Sequence, residues 1–426
     1  MRHLRDDYSR RDFLALGARA LLGVSMVPLL PAALRADDPV AAPRPTARNV
    51  IYLYMSGGMS HLDTLDPKAD QTVAGPVKAI PSSADGLQFS EYLPNLAKHG
   101  HRCAVLRSLT STQGAHEQGN YYMHTSYTMR GTIRHPALGA WLSLLSGRTN
   151  GTLPSNVAIG AGSGHPGSGY LESKFSPLPI GKPEAGLQHS GLAPGIDQPR
   201  FDRRMELLGH VNKDFQARHD MKSVRAYKDL YAEAVTLMAS KDLAAFDLSQ
   251  ESEAMRAAYG DHQFGQGCLL ARRLIEHDVR FVEVQLGGWD THDDNFERVQ
   301  NQTAILDTAL PALLTDLDAR GMLDETLVVL ASEFGRTPTI NGNQGRDHYG
   351  KCFSTLLAGG GIKGGSVWGA SDERGANAVK DKVEIPDFNA TIAYALGLPL
   401  DKVVIAPNGR PFTVADKGQP ITALFA

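Results

Sequence analysis

Cysteine is scarce in this chain. Three thiols, Cys103, Cys268 and Cys352, occur among 426 residues, and none stands in a Cys-x-x-Cys pair. The odd count leaves at least one thiol free, which excludes a disulfide framework and argues against a structural zinc site built on thiolates. Net charge is also small. Lys plus Arg total 43 against 46 Asp plus Glu, a formal −3, which excludes a strongly basic nucleic-acid binder and an acidic solvating tail. After the N-terminal forty or so residues there is no apolar run of about 18 residues, so no spanning helix is expected in the body of the chain. There is no internal repeat. The glycine-rich run at 359–365 lacks the Gly-Lys-Ser/Thr of a phosphate-binding loop and reads as tight turns between strands. What is present is ordinary for a globular protein, with 42% apolar and 21% charged residues.

The N-terminus carries Ser9-Arg10-Arg11-Asp12-Phe13-Leu14 and then a mildly apolar stretch to Leu34. Two adjacent arginines ahead of Phe-Leu resemble a twin-arginine export signal. Arg19, Gly17, Gly23, Pro28 and Pro31 make the stretch a poor membrane anchor. Residues 1–36 are therefore expected to be a signal peptide read by the twin-arginine translocon, and 37–47 a proline-rich linker. A single domain would occupy 48–426, in the periplasm, at the cell surface or secreted, with no membrane span in the mature protein.

Short β-branched and aromatic runs alternate with helical stretches. Strands are expected at 49–55, 102–106, 156–160, 279–286 and 326–331. A mostly helical stretch fills about 200–277 as an insertion. Further helices are expected at 295–320, kinked at Pro311 and closed by Gly321, and at 388–396, closed by Gly397. This alternation implies an α/β fold with a mainly parallel central sheet covered by helices on both faces. Ligands of such sheets bind beyond the carboxyl ends of the strands.

Four polar clusters follow predicted strands there. They are Ser60-His61-Leu62-Asp63, the segment from His116 to His124, the run Trp289-Asp290-Thr291-His292-Asp293-Asp294, and Ser332-Glu333-Phe334-Gly335-Arg336. Asp290, His292, Glu333, Asp347 and His348 are residue types that bind divalent cations. Zinc accepts imidazole and carboxylate, whereas calcium and magnesium prefer oxygen. Taken singly, each is as well explained by a helix cap or a surface charge; it is their convergence on one sheet edge that points to a site. Arg336 could clamp a phosphate or sulfate, or simply pair with Glu333. The glycine-rich segment 160–169 is expected to be a mobile loop beside a substrate entrance. Met55, Tyr121 and Tyr122 read as packing.

Several longer motifs run in order: Tyr-Met-Ser-Gly-Gly-Met-Ser-His-Leu-Asp-Thr-Leu-Asp-Pro-Lys at 54–68, Gly-Gly-Trp-Asp-Thr-His at 287–292, Ser-Glu-Phe-Gly-Arg-Thr-Pro at 332–338 and Gly-Arg-Asp-His-Tyr at 345–349. With the export signal, the glycine run 356–365 and the C-terminal Gly-Gln-Pro-Ile-Thr-Ala-Leu-Phe-Ala, the chain resembles an uncharacterised bacterial family of exported, sulfatase-like proteins whose domain has no assigned function. That family is similar in turn to the alkaline phosphatase and sulfatase superfamily. The resemblance implies one or two divalent metals (Zn, Ca, Mg or Mn). Asp290 and His348 match one ligand set, with either His292 or Asp294 as its third member. Glu333 matches the second set. There the usual Asp directly after the first strand is replaced by Gly57 or Gly58, so His61 or Asp63 would have to substitute. No Cys or Ser stands at the usual nucleophile position. His116 occupies it, with Ser111 and Thr112 as nearby hydroxyls, and water activated by the metal is the alternative attacker.

The expected function is an exported metal-dependent hydrolase of phosphate or sulfate esters on a small molecule or polysaccharide. His116, Ser111 and Arg336 would be its catalytic residues, and Asp290, His292, Glu333, His348, Asp347, His61 and Asp63 its candidate ligands. The alternative is a non-catalytic metal- or polysaccharide-binding protein that keeps the same fold.

Overall fold

The computed structural model describes residues 45–188, 190–218 and 231–426, apart from the side chains of 214–217. The expected signal peptide and most of the linker lie outside the described residues. Nine strands form the central sheet: β1 (Asn49–Met55), β2 (Cys103–Thr110), β3 (Asn156–Ile159), β4 (Leu178–Ile180), β5 (Phe281–Leu286), β6 (Thr326–Ala331), β7 (Phe353–Ala358), β8 (Ser366–Trp368) and β9 (Val383–Glu384). Their spatial order is β8-β2-β7-β6-β1-β5-β3-β4, with β9 also on β2. Every pairing is parallel except the two made by β7, which runs against both β2 and β6. One reversed strand between parallel neighbours leaves all the others pointing the same way. The carboxyl ends of β1, β2, β5 and β6 therefore share one edge of the sheet.

Strand β1 reads Asn-Val-Ile-Tyr-Leu-Tyr-Met and is buried throughout, as a central parallel strand covered on both faces must be. Its side chains alternate. Ile51, Leu53 and Met55 enter one core with helices α4 (Gln263–Glu276) and α5 (Asn295–Ala319). Val50, Tyr52 and Tyr54 enter the other with α1 (His116–Thr125), α2 (Leu138–Ser146) and α6 (Ile385–Ala395). The sheet is thus sandwiched between helices, the α/β class read from the sequence.

Three boundaries differ from the sequence reading. Strand β2 continues to Thr110, because β7 and β9 pair with its second half. Helix α6 starts at Ile385 rather than 388, since Glu384 and Asp387 form a reciprocal capping box and Pro386 sits in the first turn, where no N–H is needed. The stretch 200–277 is not one helical body. An exposed helix α3 (Gln198–Arg218) and a helical run at 231–238 are followed by short turns, and only α4 is buried against β5 and α5. Helix α5 runs unbroken through Pro311. No described helix is long and apolar enough to cross a membrane.

The turn after β5 is fixed by Trp289, which is fully buried among the residues of the α5-side core. It immediately precedes Asp290 and so sets where that carboxylate emerges. Trp289→Ala is expected to cost about 3–5 kcal/mol by opening a cavity, read as a lower urea midpoint. A loss below about 1 kcal/mol would mean that the indole does not hold this turn.

Candidate metal centre

Three segments deliver four side chains to one point above the shared edge. Asp290 and His292 come from the turn after β5, and His116 opens α1 beyond β2. His348 lies on a two-stranded ribbon that pairs His348–Tyr349 with Gly335–Arg336, just past β6. The imidazole Nε2 atoms of His292 and His348 stand 3.1 and 3.2 Å from Asp290 Oδ1, and that of His116 stands 3.2 Å from Asp290 Oδ2. His292 Nε2 and His348 Nε2 are 3.0 Å apart.

The far nitrogen of each ring decides what the near one can do. His116 Nδ1 lies 2.8 Å from Glu333 Oε1, His292 Nδ1 lies 2.8 Å from Asp347 Oδ1, and His348 Nδ1 lies 2.9 Å from the Gly114 carbonyl. These partners only accept, so each Nδ1 carries the proton and donates. In a neutral ring each Nε2 then presents a lone pair toward the Asp290 carboxylate and toward its neighbours. Lone pairs facing a carboxylate repel unless a proton or a metal ion stands between them. His116 Nε2 is buried and stands 3.2 Å from Asp290 Oδ2 without a well-aligned hydrogen bond to it, a geometry that suits an ion between them. Ligands held about 2.1 Å from a tetrahedral ion stand about 3.4 Å from one another; donor atoms of His116, Asp290 and His348 all lie within 4.8 Å of one another, and His292 joins them through its contacts with Asp290 and His348. The donor set fits a metal ion, with Glu333 and Asp347 as the outer carboxylates that orient ligating histidines.

Burial pulls the Asp290 carboxyl up, but the hydrogen bond and charge of Arg336, with help from His348 and His116, hold it well below the usual carboxylate range. The hydrogen bond to His292 holds Asp347 low as well. The hydrogen bond to Glu333 raises His116 against the opposing effect of its burial.

Other candidate residues have different surroundings. Glu333 is buried, and its oxygens accept from His116 Nδ1 (2.8 Å), Gly57 N (2.8 Å), Tyr54 OH (3.0 Å) and Ser332 Oγ (3.3 Å). A carboxylate has about four lone-pair sites, so Glu333 is filled and stands behind His116. Asp63 is buried against Arg346, with contacts of 2.8 and 2.9 Å, and also accepts from Ser60 and Asn295. His61 is buried and bonded to the Gly375 carbonyl at 2.8 Å. Neither residue joins the converging group. Asp294 is exposed at the left-handed start of α5, so of the pair left open by the sequence it is His292 that reaches the cluster. Ser111 Oγ accepts from the Gln113 amide, and Thr112 Oγ1 accepts from the Gln113 side chain.

Arg336 has no solvent-exposed side-chain surface. It donates to the carbonyls of Gly57, Gly58 and Arg346 and to Asp290 Oδ1 at 2.7 Å, which occupies four of its five N–H groups. Its place is that of a brace rather than an open anion clamp. Gly57 explains why no aspartate follows the first strand. Its φ is +121°, and a Cβ there would lie 2.5 Å from Asp290 N, so no side chain fits. The brace and the steric exclusion of a first-strand carboxylate depend on backbone geometry, and no residue pattern announces either.

Residues 47–425 match the model of a family described as a protein of unknown function, DUF1501. The chain belongs to that family. Solved structures similar to it include a sulfatase from Pseudoalteromonas sp. (14% identity, 90% of this chain and 72% of that chain, TM-score 0.41). Others are a phosphonate monoester hydrolase from Silicibacter pomeroyi (11%, 89% and 76%, 0.39) and a protein in the alkaline phosphatase superfamily from Vibrio parahaemolyticus (9%, 90% and 73%, 0.38). No curated protein matches the chain.

Arg336→Lys separates the two roles open to this residue. An ammonium keeps the charge but cannot reach three carbonyls and a carboxylate in a plane. The variant is expected to melt several degrees lower and to hold less metal. An unchanged melting temperature with only a raised KM would restore the anion-clamp role.

Proposed function

We propose that this DUF1501 chain is an exported, metal-dependent hydrolase of phosphate or sulfate esters. The observation that carries the reading is the set of three imidazoles, each with Nδ1 committed to an acceptor and Nε2 turned on the Asp290 carboxylate. His116, His292, His348 and Asp290 would hold the ion. Three nitrogens and one oxygen favour zinc or another transition metal over calcium or magnesium. When bound, such an ion neutralises an ester oxyanion and brings the pKa of water from about 16 toward 7.

The chain's own groups account for the rest. The first turn of α1 has no side-chain cap, so its N–H groups are free to take the oxyanion that Arg336 cannot. Glu333, held by Tyr54 and Gly57, keeps His116 in the tautomer that presents Nε2. Among the described residues the converging group of His116, Asp290 and His348 includes no cysteine, and Ser111 and Thr112 are engaged by Gln113, which supports direct attack by water over a covalent intermediate on a side-chain hydroxyl or thiol. That same absence favours, as the second reading, a binding protein for an anionic ester or polysaccharide.

Zinc- or manganese-loaded protein is expected to cleave aryl phosphates or aryl sulfates, to stop on chelation and to recover on adding the metal back. Asp290→Ala should lose one equivalent of metal together with all turnover. Glu333→Gln should weaken metal binding about 10–100-fold. No turnover with any of these esters in metal-loaded protein would leave the binding reading. Export is tested separately. Replacing both Arg10 and Arg11 by Lys is expected to retain the precursor in the cytoplasm, and undiminished export would exclude the twin-arginine route.

A further inference from the structure

A second group of ligand-type side chains lies inside the molecule, apart from the first. His124 in the last turn of α1, Glu283 in the middle of β5 and His165 in the glycine-rich loop bring two imidazole nitrogens and a carboxylate oxygen within 4.8 Å of one another. Both Nε2 atoms stand 3.2 Å from Glu283 Oε2. Glu283 and His124 are buried, and His165 is nearly so. The spacing is again that of ligands around one small ion.

His124 repeats the logic of the first site. Its Nδ1 lies 2.8 Å from the Asn120 carbonyl and must donate to it, so a neutral ring turns its Nε2 lone pair on Glu283. Among the described residues no hydrogen bond reaches the other oxygen of Glu283. A cavity with about 10 Å³ of room for a water-sized sphere lies between His124, His165, Glu283, Tyr52 and Asn156, enough for about one water or one ion. Tyr52 OH and Asn156 Nδ2, both on buried residues lining that cavity, have no hydrogen-bond partner. Buried polar atoms lining a small cavity beside a carboxylate oxygen are surroundings that suit a small bound ion.

We propose that His124, His165 and Glu283 form a second, buried divalent-cation site that staples the 160–169 loop to α1 and β5. Nitrogen-rich donors select zinc or a comparable transition metal rather than calcium. The present arrangement is the proton-filled one. His165 Nδ1 accepts from the Gly167 amide at 3.0 Å, which places that ring's proton on Nε2, facing Glu283. Ligation by Nε2 moves the proton to Nδ1, which then needs an acceptor. Rotation of the Pro166–Gly167 peptide supplies one, by turning the Pro166 carbonyl where the Gly167 N–H now points. Gly167, at φ +64°, can make that rotation without a side chain to obstruct it. The two sites are separated by Tyr54. Its ring lies edge-on to His124 at 4.6 Å between centroids, and its hydroxyl donates to Glu333.

The test is metal stoichiometry of the full folded chain after loading with zinc and desalting. Wild type is expected to carry two equivalents, Asp290→Ala one, Glu283→Gln one, and the double variant none. Because Asp290 and Glu283 serve different sites, failure of either assignment is visible on its own. Should Glu283→Gln not fold, His165→Ala, on the partly exposed loop, takes its place with the same expected loss of one equivalent. In the Asp290→Ala background, zinc should also slow protease cleavage within 160–169. Wild-type metal content in both Glu283→Gln and His165→Ala, or a single wild-type equivalent that Asp290→Ala abolishes, would overturn the proposal and leave the cluster as a buried imidazolium–carboxylate group.

Discussion

One guanidinium holds this site together. Arg336 has no access to water and donates to the backbone at the end of β1, to the backbone before His348 and to the Asp290 carboxylate. Three loops separated by long stretches of sequence are thereby bonded to a single rigid plane. A second buried arginine, Arg346, does the same one layer out, joining Asp63 to the carbonyls of Thr337 and Pro338. A buried charge is tolerated only when it is paired and its hydrogen bonds are made. Both arginines meet that demand by fixing the segments that carry the converging histidines and Asp290. The charge left over at Asp290 is shared outward to three imidazoles, so the brace and the cation site are two sides of one electrostatic arrangement.

The same chemistry does different work according to what stands behind it. Asp290 is half-exposed and accepts from Arg336 while three imidazole Nε2 atoms face it, whereas Glu333 is fully enclosed and has every oxygen occupied. Asp63 is enclosed too and faces a guanidinium. Asp347 stays exposed and only orients His292. Four carboxylates near one point thus sort into one candidate ligand, two outer supports and one loop anchor. Burial and donor count sort them, and neither is written in residue type.

This sorting explains what was legible in the sequence. The strands were visible because buried parallel strands are nearly continuous apolar runs, and β1, β5 and β6 have the expected bounds to within about two residues. The edge at which polar clusters gather follows from strand direction alone. The reversal of β7 was not legible, since Phe-Ser-Thr-Leu-Leu-Ala reads alike in either direction. Nor were the outer partners of the histidines. Gly114 O, Tyr54 OH and the placement of Glu333 behind His116 rather than beside Asp290 are facts of three-dimensional register. Glu283 lies within a stretch read as strand, and His124 ends a polar cluster assigned to the first site, so nothing in the sequence pairs the two. Only the fold sets the α1 face against β5 and brings the glycine-rich loop over both.

The missing first-strand aspartate follows from the same geometry. In this chain the peptide after β1 runs so close to Asp290 that even a methyl group is excluded at Gly57, and its N–H is directed at Glu333. Glu333 is thereby tied to the backbone on one side and to His116 on the other. A carboxylate at position 57 would break that tie and displace Asp290 at once, so the departure and the histidine-rich centre require each other. Restoring the aspartate without moving Asp290 is sterically closed. The imidazoles therefore gather at Asp290, on the β5 side of a turn that leaves no room for a carboxylate at position 57.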